Sequence, residues 1–169
     1  MLENIKEDLR ALGGGRAGLR TLVRGLLSQG FQAILVYRLF NFLHRKRIPA
    51  QPFRFFFERF IEITTGISIP AACTIGKGFR IHHFGGIILH PSVVIGKNCT
   101  MYHHVTVGDI GGTGGAARIG DNVMIGAGAK IIGEITIGDN CIIGANAVVN
   151  RDLPGNSVAV GNPCIIREH

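Results

Sequence analysis

Paired histidines are the residues of this sequence best suited to acid–base chemistry. Four of the seven histidines stand in two adjacent pairs, His82-His83 and His103-His104. An imidazole titrates near neutral pH, so it can accept a proton from a hydroxyl group and later give it back. The two pairs therefore predict a site of proton transfer, provided that the fold brings them together.

Two other interpretations of these histidines compete with proton transfer. The four paired imidazoles could bind a metal ion if they converged, although no carboxylate or cysteine pattern completes a tetrahedral set of ligands. They could also be surface residues without a chemical role, which is the interpretation that we favour for His90 and His104. For His83 we favour catalysis.

The elements that must position the histidines follow a period of six residues. An aliphatic residue opens each unit, and the period breaks where position 81 is followed by 89 and position 107 by 119. The series runs Ile69, Ile75, Ile81, Leu89, Ile95, Met101, Val107, Ile119, Ile125, Ile131, Ile137, Ile143 and Val149. A hexapeptide period is typical of a parallel β-helix, in which each unit is one short strand and one corner. We therefore predict a mostly β fold, a parallel β-helix, over residues 67–166.

The same count predicts which side chains share a corner of the β-helix. His83 and His103 each lie two residues after the start of their unit, and three units separate them. The count continues beyond residues 108–118 if that glycine-rich loop is an excursion without a strand of its own. Ala127 and Ala145 then reach the same corner. We expect a groove there that accepts a thin, extended ligand beside an imidazole.

The first part of the chain differs in kind, because its apolar residues follow a helical spacing. Breakers divide it into four predicted helices. They cover residues 2–12, 19–29, 31–46 and 53–64. Residues 1–66 hold 11 Lys and Arg against 5 Asp and Glu, whereas residues 67–169 hold 7 against 6. We predict an N-terminal helical segment over 1–66 that carries most of the basic excess.

A stretch of this segment that is rich in cations and phenylalanines raises the question of a membrane. Residues 44–47 are basic, and residues 53–60 hold five phenylalanines among charged side chains. Such a stretch could lie on an anionic membrane surface. We favour the alternative, in which the phenylalanines pack the helices on each other and on the β-helix while the arginines stay in water. No nucleic-acid-binding motif accompanies the charge, so we expect no nucleic acid partner.

The cysteines and the apolar segments bear on location. Cys73, Cys99 and Cys141 fall on inward positions of the repeat, so we expect small core residues rather than a disulfide framework. Cys164 lies in the tail and carries no prediction. No apolar run follows the mixed charges at the amino terminus, and the longest apolar stretch, 31–43, is too short to span a bilayer. We therefore expect a cytoplasmic protein.

Residues 67–166 resemble the catalytic domain of the serine acetyltransferases, a group within the hexapeptide-repeat acyltransferases. Several short stretches carry the resemblance. They are residues 75–83, 105–108, 111–114, 119–133 and 159–163. Residues 32–38 also match, at a place where that family has helices before its β-helix. The His82-His83 pair is similar, in addition, to the short acetyltransferases of exopolysaccharide and capsule gene sets.

The resemblance implies a fold, a mechanism and a co-substrate. The β-helix would be left-handed, and the protein would be an O-acetyltransferase that uses acetyl-CoA and needs no metal. His83 would take the proton from an acceptor hydroxyl, which then attacks the thioester directly. Ala127 and Ala145 match the two alanines that lie along the CoA arm in the family. Further cofactor-binding candidates are Gly108, Gly128, Lys130 and Arg151, the last two as partners for CoA phosphates.

The resemblance also implies an assembly. Members of the family form trimers with each site between two subunits, so a homotrimer is expected, with loop 108–118 over the site. Pairing of two trimers through the N-terminal helices is left open.

The departures from the family concern the acceptor. An Asp normally precedes the catalytic histidine, where this sequence has His82, and an Arg-His pair normally ends the loop, where it has Gly115-Ala116. An Asp-Pro is also missing near residues 13–17. Most of these residues hold the charges of an amino acid, so their loss disfavours serine. We predict a sugar or polysaccharide precursor as acceptor, with His82 as a substrate-binding residue, and serine O-acetylation as the alternative.

A further departure leaves the base without an obvious partner. An Asp thought to orient the catalytic histidine falls at Ser68. His103, Glu62 or a backbone carbonyl must then fix the tautomer of His83, so His103 joins His83 as a catalytic candidate. Two rival functions stay open. One is a non-catalytic β-helix that binds or scaffolds a partner. The other is a metal-dependent enzyme of the carbonic anhydrase type, with three histidine ligands across a trimer seam.

Overall fold

Four helices precede fifteen short strands in the computed structural model, which describes residues 1–16, 18–112 and 114–168. The helices are α1 Leu2–Leu12, α2 Leu19–Leu27, α3 Gln29–Arg45 and α4 Phe53–Thr65. The strands are β1 Ile67–Ser68, β2 Thr74–Ile75, β3 Arg80–Ile81, β4 Ile87–Leu89, β5 Val94–Ile95, β6 Thr100–Met101, β7 Thr106–Gly108, β8 Arg118–Ile119, β9 Met124–Ile125, β10 Lys130–Ile132, β11 Thr136–Ile137, β12 Ile142–Ile143, β13 Val148–Val149, β14 Ser157–Val160 and β15 Ile165–Glu168.

The strands form three sheets, in each of which a strand pairs in parallel with the strand one coil later. Sheet A has the order β1-β4-β7-β10-β13, sheet B the order β2-β5-β8-β11, and sheet C the order β3-β6-β9-β12-β14. Strand β15 folds back antiparallel on β14. This three-sided stack confirms the predicted parallel β-helix. No strand occurs between β7 and β8 within the described residues 109–112 and 114–117, as expected for an excursion; Thr113 lies outside the described residues.

The aliphatic residue that opens each unit points into the prism and is buried, from Ile69 to Val149. The cysteines fill the same interior, since Cys73, Cys99 and Cys141 are fully buried and all four cysteines carry free thiols. Burial raises the pKa of the Cys73 thiol to about 12 and that of Cys99 to about 11. The expectation that these three are small core residues is confirmed.

One corner of the prism, between sheets B and C, is built from asparagines. We call Asn98, Asn122, Asn140 and Asn156 the asparagine corner. All four have a φ between 56° and 59°, a left-handed conformation that asparagine tolerates better than most residues. The Nδ2 of each of the first three donates to the Oδ1 of the asparagine one coil on, at 3.3, 3.1 and 3.0 Å. These hydrogen bonds stabilise the register of successive coils along this edge.

A buried ion pair fastens the helices to the first coil. The Arg38 guanidinium donates to both oxygens of Asp8, at 2.8 and 3.0 Å, and both side chains are almost fully buried. Arg38 also donates to the carbonyls of Ile75 and Gly76, both at 2.6 Å. Asp8 in turn accepts from the Phe79 amide at 2.9 Å. Helices α1 and α3 are thereby fixed against the end of the β-helix.

Two expectations about the helical segment are wrong. The break after α2 falls at Ser28 rather than at Gly30, because Gly30 is a buried residue of α3: a Cβ there would lie 2.8 Å from the carbonyl oxygen of Ile81. Most phenylalanines of α4 do not pack inward as expected: Phe57 contacts the ring of Phe40 in α3, with centroids 6.2 Å apart, but Phe53 and Phe56 are 70% and 65% exposed. Among the described residues, no helix is both long enough and apolar enough to cross a membrane.

Candidate active site

The strand register brings four predicted residues to one corner of the prism, between sheets C and A. Ile81 pairs with Met101, which pairs with Ile125. Ile125 pairs in turn with Ile143. The residue two positions beyond each of these strand ends is His83, His103, Ala127 or Ala145, and we call these four the histidine corner. Backbone hydrogen bonds continue the alignment, because Gly128 N donates to the carbonyl of His103 and Asn146 N to that of Ala127. Their predicted alignment is confirmed.

The histidine rings at and beside this corner form two separate sets of ring contacts. The rings of His83 and His103 meet edge to face, with centroids 5.7 Å apart, and the ring of His104 lies 5.3 Å beyond that of His103. The ring of His82 stacks on that of Tyr102 at 4.9 Å. His83 and His104 are exposed to solvent. The exposed His83 ring is therefore free to reach a bound hydroxyl, with a second imidazole behind it.

His83 has an unusual backbone. Its φ is +65°, whereas in later coils the left-handed residue comes one position later, at His104, Gly128 and Asn146. The turn is made early because the step from 81 to 89 is two residues longer than the repeat. A left-handed non-glycine residue costs about 1 kcal/mol or more and tends to occur at functional sites. The two additional residues thus give His83 a backbone conformation that the equivalent residues of later coils do not have.

His103 holds an unsatisfied polar atom. Its Nδ1 is buried and has no hydrogen-bond partner among the described residues. Buried polar atoms without a partner are rare, and each one calls for an explanation such as a bound group. The imidazole of His103 is therefore positioned to exchange a hydrogen bond with a group that enters this corner.

The structure distinguishes the groups expected to orient His83. His103 lies against His83, as described above. Glu62 instead forms an ion pair with Arg59 on its own helix, at 2.8 Å. Ser68, in β1, lies in the strand register that leads through Ile88 and Thr106 to Lys130, on sheet A. Of the side chains considered, His103 is the one that the structure brings into ring contact with the proposed base.

Small residues leave space along the rest of the histidine corner. Ala127 and Gly128 are half-buried and Ala145 is exposed. The coils approach closely here, since a Cβ on Gly126 would lie 2.6 Å from the backbone nitrogen of Ala145. Lys130 also reaches this corner, where its Nζ donates to the carbonyl of His104 at 2.7 Å. A thin, extended chain can lie along this edge with a cation beside it.

Two predicted cofactor residues lie elsewhere. Gly108 ends β7, and Arg151 follows β13, so both stand at the far edge of sheet A. That edge is roughly 15 Å from the histidine corner at about 3.3 Å per residue. The Arg151 side chain donates to the carbonyl of Cys164 at 2.6 Å. The structure therefore does not bring Gly108 and Arg151 to the histidine corner, although one ligand of CoA length could contact both edges.

The electrostatics of the corner favour a neutral His82. Burial lowers the pKa of His82, and the nearby side chains of Arg80, His83 and Arg24 lower it further. A neutral imidazole stacked on Tyr102 is suited to hydrogen bonding rather than to ion pairing. Within the described part of the chain, no three His, Cys, Asp or Glu side chains converge as metal ligands would.

The chain is similar to known transferases in its sequence and in its structure. The family model described as bacterial transferase hexapeptide (six repeats) matches residues 116–151. A serine acetyltransferase of Helicobacter pylori strain ATCC 700392 / 26695 is 41% identical over 143 residues, which are 81% of this chain and 80% of the relative. A serine acetyltransferase of Synechococcus elongatus is 33% identical over 169 residues, which are 96% of this chain and 67% of the relative.

Solved structures with the same fold include complexes. The serine acetyltransferase of Brucella abortus strain S19 in complex with coenzyme A has a TM-score of 0.88 at 28% identity, covering 98% of this chain and 66% of that one. The serine acetyltransferase of Neisseria gonorrhoeae in complex with serine has a TM-score of 0.88 at 30% identity, covering 98% of this chain and 68% of that one. The likeness thus includes the helical segment as well as the β-helix.

Proposed function

Because the chain belongs to the serine acetyltransferase family, we propose that it acetylates an acceptor hydroxyl with His83 as the general base. The enzyme class and the co-substrate follow from the family, so the chain is an acyltransferase that uses acetyl-CoA. The observation that carries the assignment of the base is the histidine corner, where an exposed imidazole stands at the end of a row of small residues. A homotrimer with the site between two subunits is part of the proposal.

The proposed reaction is a direct transfer. Neutral His83 accepts the proton of the acceptor hydroxyl while the oxygen attacks the thioester carbonyl of acetyl-CoA. The tetrahedral intermediate then collapses, the carbon–sulfur bond breaks, and the thiolate of CoA leaves. The imidazolium returns its proton to the sulfur, so that the products are the acetyl ester and CoA thiol, and His83 is neutral again.

The row of small residues supports the placement of the co-substrate. Bulky side chains at Ala127, Gly128 and Ala145 would fill the edge along which a thin chain can lie. We propose that the pantetheine arm of CoA runs along these residues with its thioester at His83. Lys130 would neutralise negative charge beside the arm.

His103 is proposed as the residue that positions the base. Its ring contacts that of His83, and its buried Nδ1, which has no partner among the described residues, lies where a hydrogen bond is strong. A hydrogen bond between the two rings or to the acceptor would fix the tautomer that accepts the proton. Such a partner is needed when the usual carboxylate position carries Ser68.

L-Serine is the first acceptor that we propose. The relatives and the structures described above are serine acetyltransferases, and one of them is a complex with serine. This evidence favours the alternative over the sugar acceptor expected from the departures in the sequence.

A sugar hydroxyl is the second candidate, and a specific observation favours it. The zwitterion of serine needs opposite charges in the site, yet the position before the base holds His82, which is stacked on Tyr102 and has a lowered pKa. Gly115 and Ala116 stand where the loop of the family carries an Arg-His pair. The absence of those charges does not weaken the binding of a sugar, since its hydroxyl groups are neutral.

An acceptor panel separates the two candidates. Thiol release from acetyl-CoA is followed with L-serine, with simple glycosides and with nucleotide sugars, and L-alanine serves as the matched amino acid without a hydroxyl. Turnover with serine but not with alanine supports the first candidate, and turnover with sugars alone supports the second. Release at the same rate with every compound and with none would contradict acyl transfer to a hydroxyl.

A further inference from the structure

Helix α2 turns its apolar side away from the protein. Five residues spaced as i, i+3, i+4, i+7 and i+8 share this side and are between 40% and 78% exposed. They are Leu19, Leu22, Val23, Leu26 and Leu27, and we call them the α2 apolar face. The opposite side packs on the rest of the helical segment, where a Cβ on the buried Gly25 would lie 3.0 Å from Leu9 and 3.1 Å from Phe31. A surface helix normally has the reverse orientation, with its apolar side inward.

The charges beside this face are all positive. Residues 13–29 contain three arginines and no Asp or Glu. They are Arg16, Arg20 and Arg24, each of them exposed. In the part of the chain that the structure describes, none of the three forms an ion pair with a carboxylate. The α2 apolar face is therefore bordered by unneutralised cations.

Helix α4 also exposes apolar residues, but its arginines are paired with carboxylates. Phe53, Phe56, Phe60 and Ile63 are at least half exposed. The arginines of this helix are nevertheless neutralised within it, since Arg54 pairs with Glu58 at 3.6 Å and Arg59 with Glu62 at 2.8 Å. The two helices thus present similar apolar surfaces with different electrostatics, which allows a controlled comparison.

We propose that the α2 apolar face docks on an anionic lipid surface. A helix that lies in a membrane interface has an apolar side in the acyl boundary and cations at the level of the headgroups, and α2 has both. Its nine residues, about 14 Å long, would lie in the plane of the bilayer rather than cross it. A second copy of the chain fits less well, because a two-fold contact would set this face against itself and bring like-charged arginines together.

The docked orientation brings the histidine corner near the membrane. Gly30, three residues after α2, packs on Ile81, the residue before His82. Arg24 of α2 is close enough to His82 for its charge to affect that imidazole. An acceptor held at a membrane surface would then lie beside the site. This last consequence rests on the proposed function, whereas the docking itself does not.

Co-sedimentation with vesicles tests the docking with the full chain. We expect binding to vesicles made of equal parts phosphatidylcholine and phosphatidylglycerol, little binding to phosphatidylcholine alone, and weaker binding as salt is added. The double variant Leu19→Ser/Leu27→Ser should bind at least about tenfold more weakly, because two exposed apolar anchors are removed. Arg16→Gln/Arg20→Gln should bind about 25-fold more weakly, since each cation contributes a factor of about five.

The matched control is Phe53→Ser/Ile63→Ser on α4, which removes apolar side chains of similar exposure, 70% and 75%. It should bind as the wild type does, and circular dichroism should show that all variants fold. Three results would overturn the proposal: no binding of the wild type, equal binding to both kinds of vesicle, or an equal loss in the α4 control. Light scattering that shows self-association lost in the α2 variants would assign the face to a second copy instead. Since no substrate is present, failure of this test leaves the proposed acetyl transfer unaffected.

Discussion

The asparagine corner and the histidine corner occupy equivalent edges of the same prism, yet they differ in how their polar groups are used. At the asparagine corner each side chain amide bonds to the next, so the ladder is satisfied within the protein. At the histidine corner the rings contact one another, but His103 Nδ1 has no partner among the described residues. In this chain the asparagine corner satisfies its own amides, whereas the histidine corner leaves one imidazole nitrogen available to a bound group.

The corners also differ in regularity. The asparagine corner takes the left-handed conformation at the same position of each coil, three residues after the aliphatic. At the histidine corner the first coil takes it one residue early, at His83, after which the chain runs through Gly85 and Gly86 with positive φ. The irregularity therefore lies on the residue that we assign as the base. If chemistry and stability are divided between the two corners, a substitution at either corner should affect mainly one of them.

The largest expected effect is that of His83→Ala on acetyl transfer. Loss of a general base typically slows a reaction about 100- to 10,000-fold. Because His83 is exposed, its removal should cost stability only through the alanine placed at a φ of +65°, about 1 kcal/mol at most. Steady-state thiol release with the best acceptor of the panel measures the rate. A His83→Ala enzyme within a factor of a few of the wild type would remove His83 from the mechanism.

The second prediction is that substitutions of Asn122 lower stability without changing activity. Asn122→Ala removes two ladder hydrogen bonds and places alanine at a φ of 58°, which together should lower the free energy of unfolding by about 2 kcal/mol. In Asn122→Gly the glycine adopts that φ without strain, so the free energy of unfolding should fall by only about half as much. Urea unfolding measures both, and activity at low temperature should be unchanged. Loss of activity without loss of stability would show that the corners are not divided as proposed.

A third prediction concerns the row of small residues. Ala145→Leu should raise the KM for acetyl-CoA about tenfold, because the added side chain occupies the edge assigned to the pantetheine arm. The matched control is Ala72→Leu, a second exposed alanine that lies outside the histidine corner. Its KM should equal that of the wild type. Equal effects of the two substitutions would mean that the arm lies elsewhere.

The smallest expected effect is on the pH dependence of stability. The pKa of His82 is lowered in the folded protein from an ordinary value of 6.5, chiefly by burial, so the unfolded chain binds the proton more readily. Stability gained from a neutral His82 is thus fully present above the unfolded pKa and is lost as the pH falls below about 6.5. His82→Gln should flatten the fall in urea midpoint between about pH 7.5 and pH 5.5. An identical fall in variant and wild type would contradict the neutral imidazole.

The β-helix and the alignment of His83, His103, Ala127 and Ala145 could be predicted because the period is local. Each six-residue unit repeats one strand and one corner, so counting units is enough to place a residue on an edge. The asparagine ladder was missed, although its signal was present: each of these asparagines follows an aliphatic residue by three positions.

Other features depend on contacts that no local pattern encodes. The buried pair of Asp8 and Arg38 joins residues 30 positions apart, and its formation is decided by how the helices meet the first coil. Glycine usually ends a helix, yet Gly30 lies inside α3 and allows close packing on Ile81. The exposure of the α4 phenylalanines likewise depends on which side of a helix finds a partner.

The most direct test of the account is a crystal structure of the protein with bound CoA. We predict the pantetheine arm along Ala127, Gly128 and Ala145, with the thiol directed at His83 and the His103 ring within hydrogen-bond reach of His83 or of a group bound there. An arm that follows the asparagine corner, or a thiol on another edge of the prism, would contradict the assignment of the histidine corner as the active site.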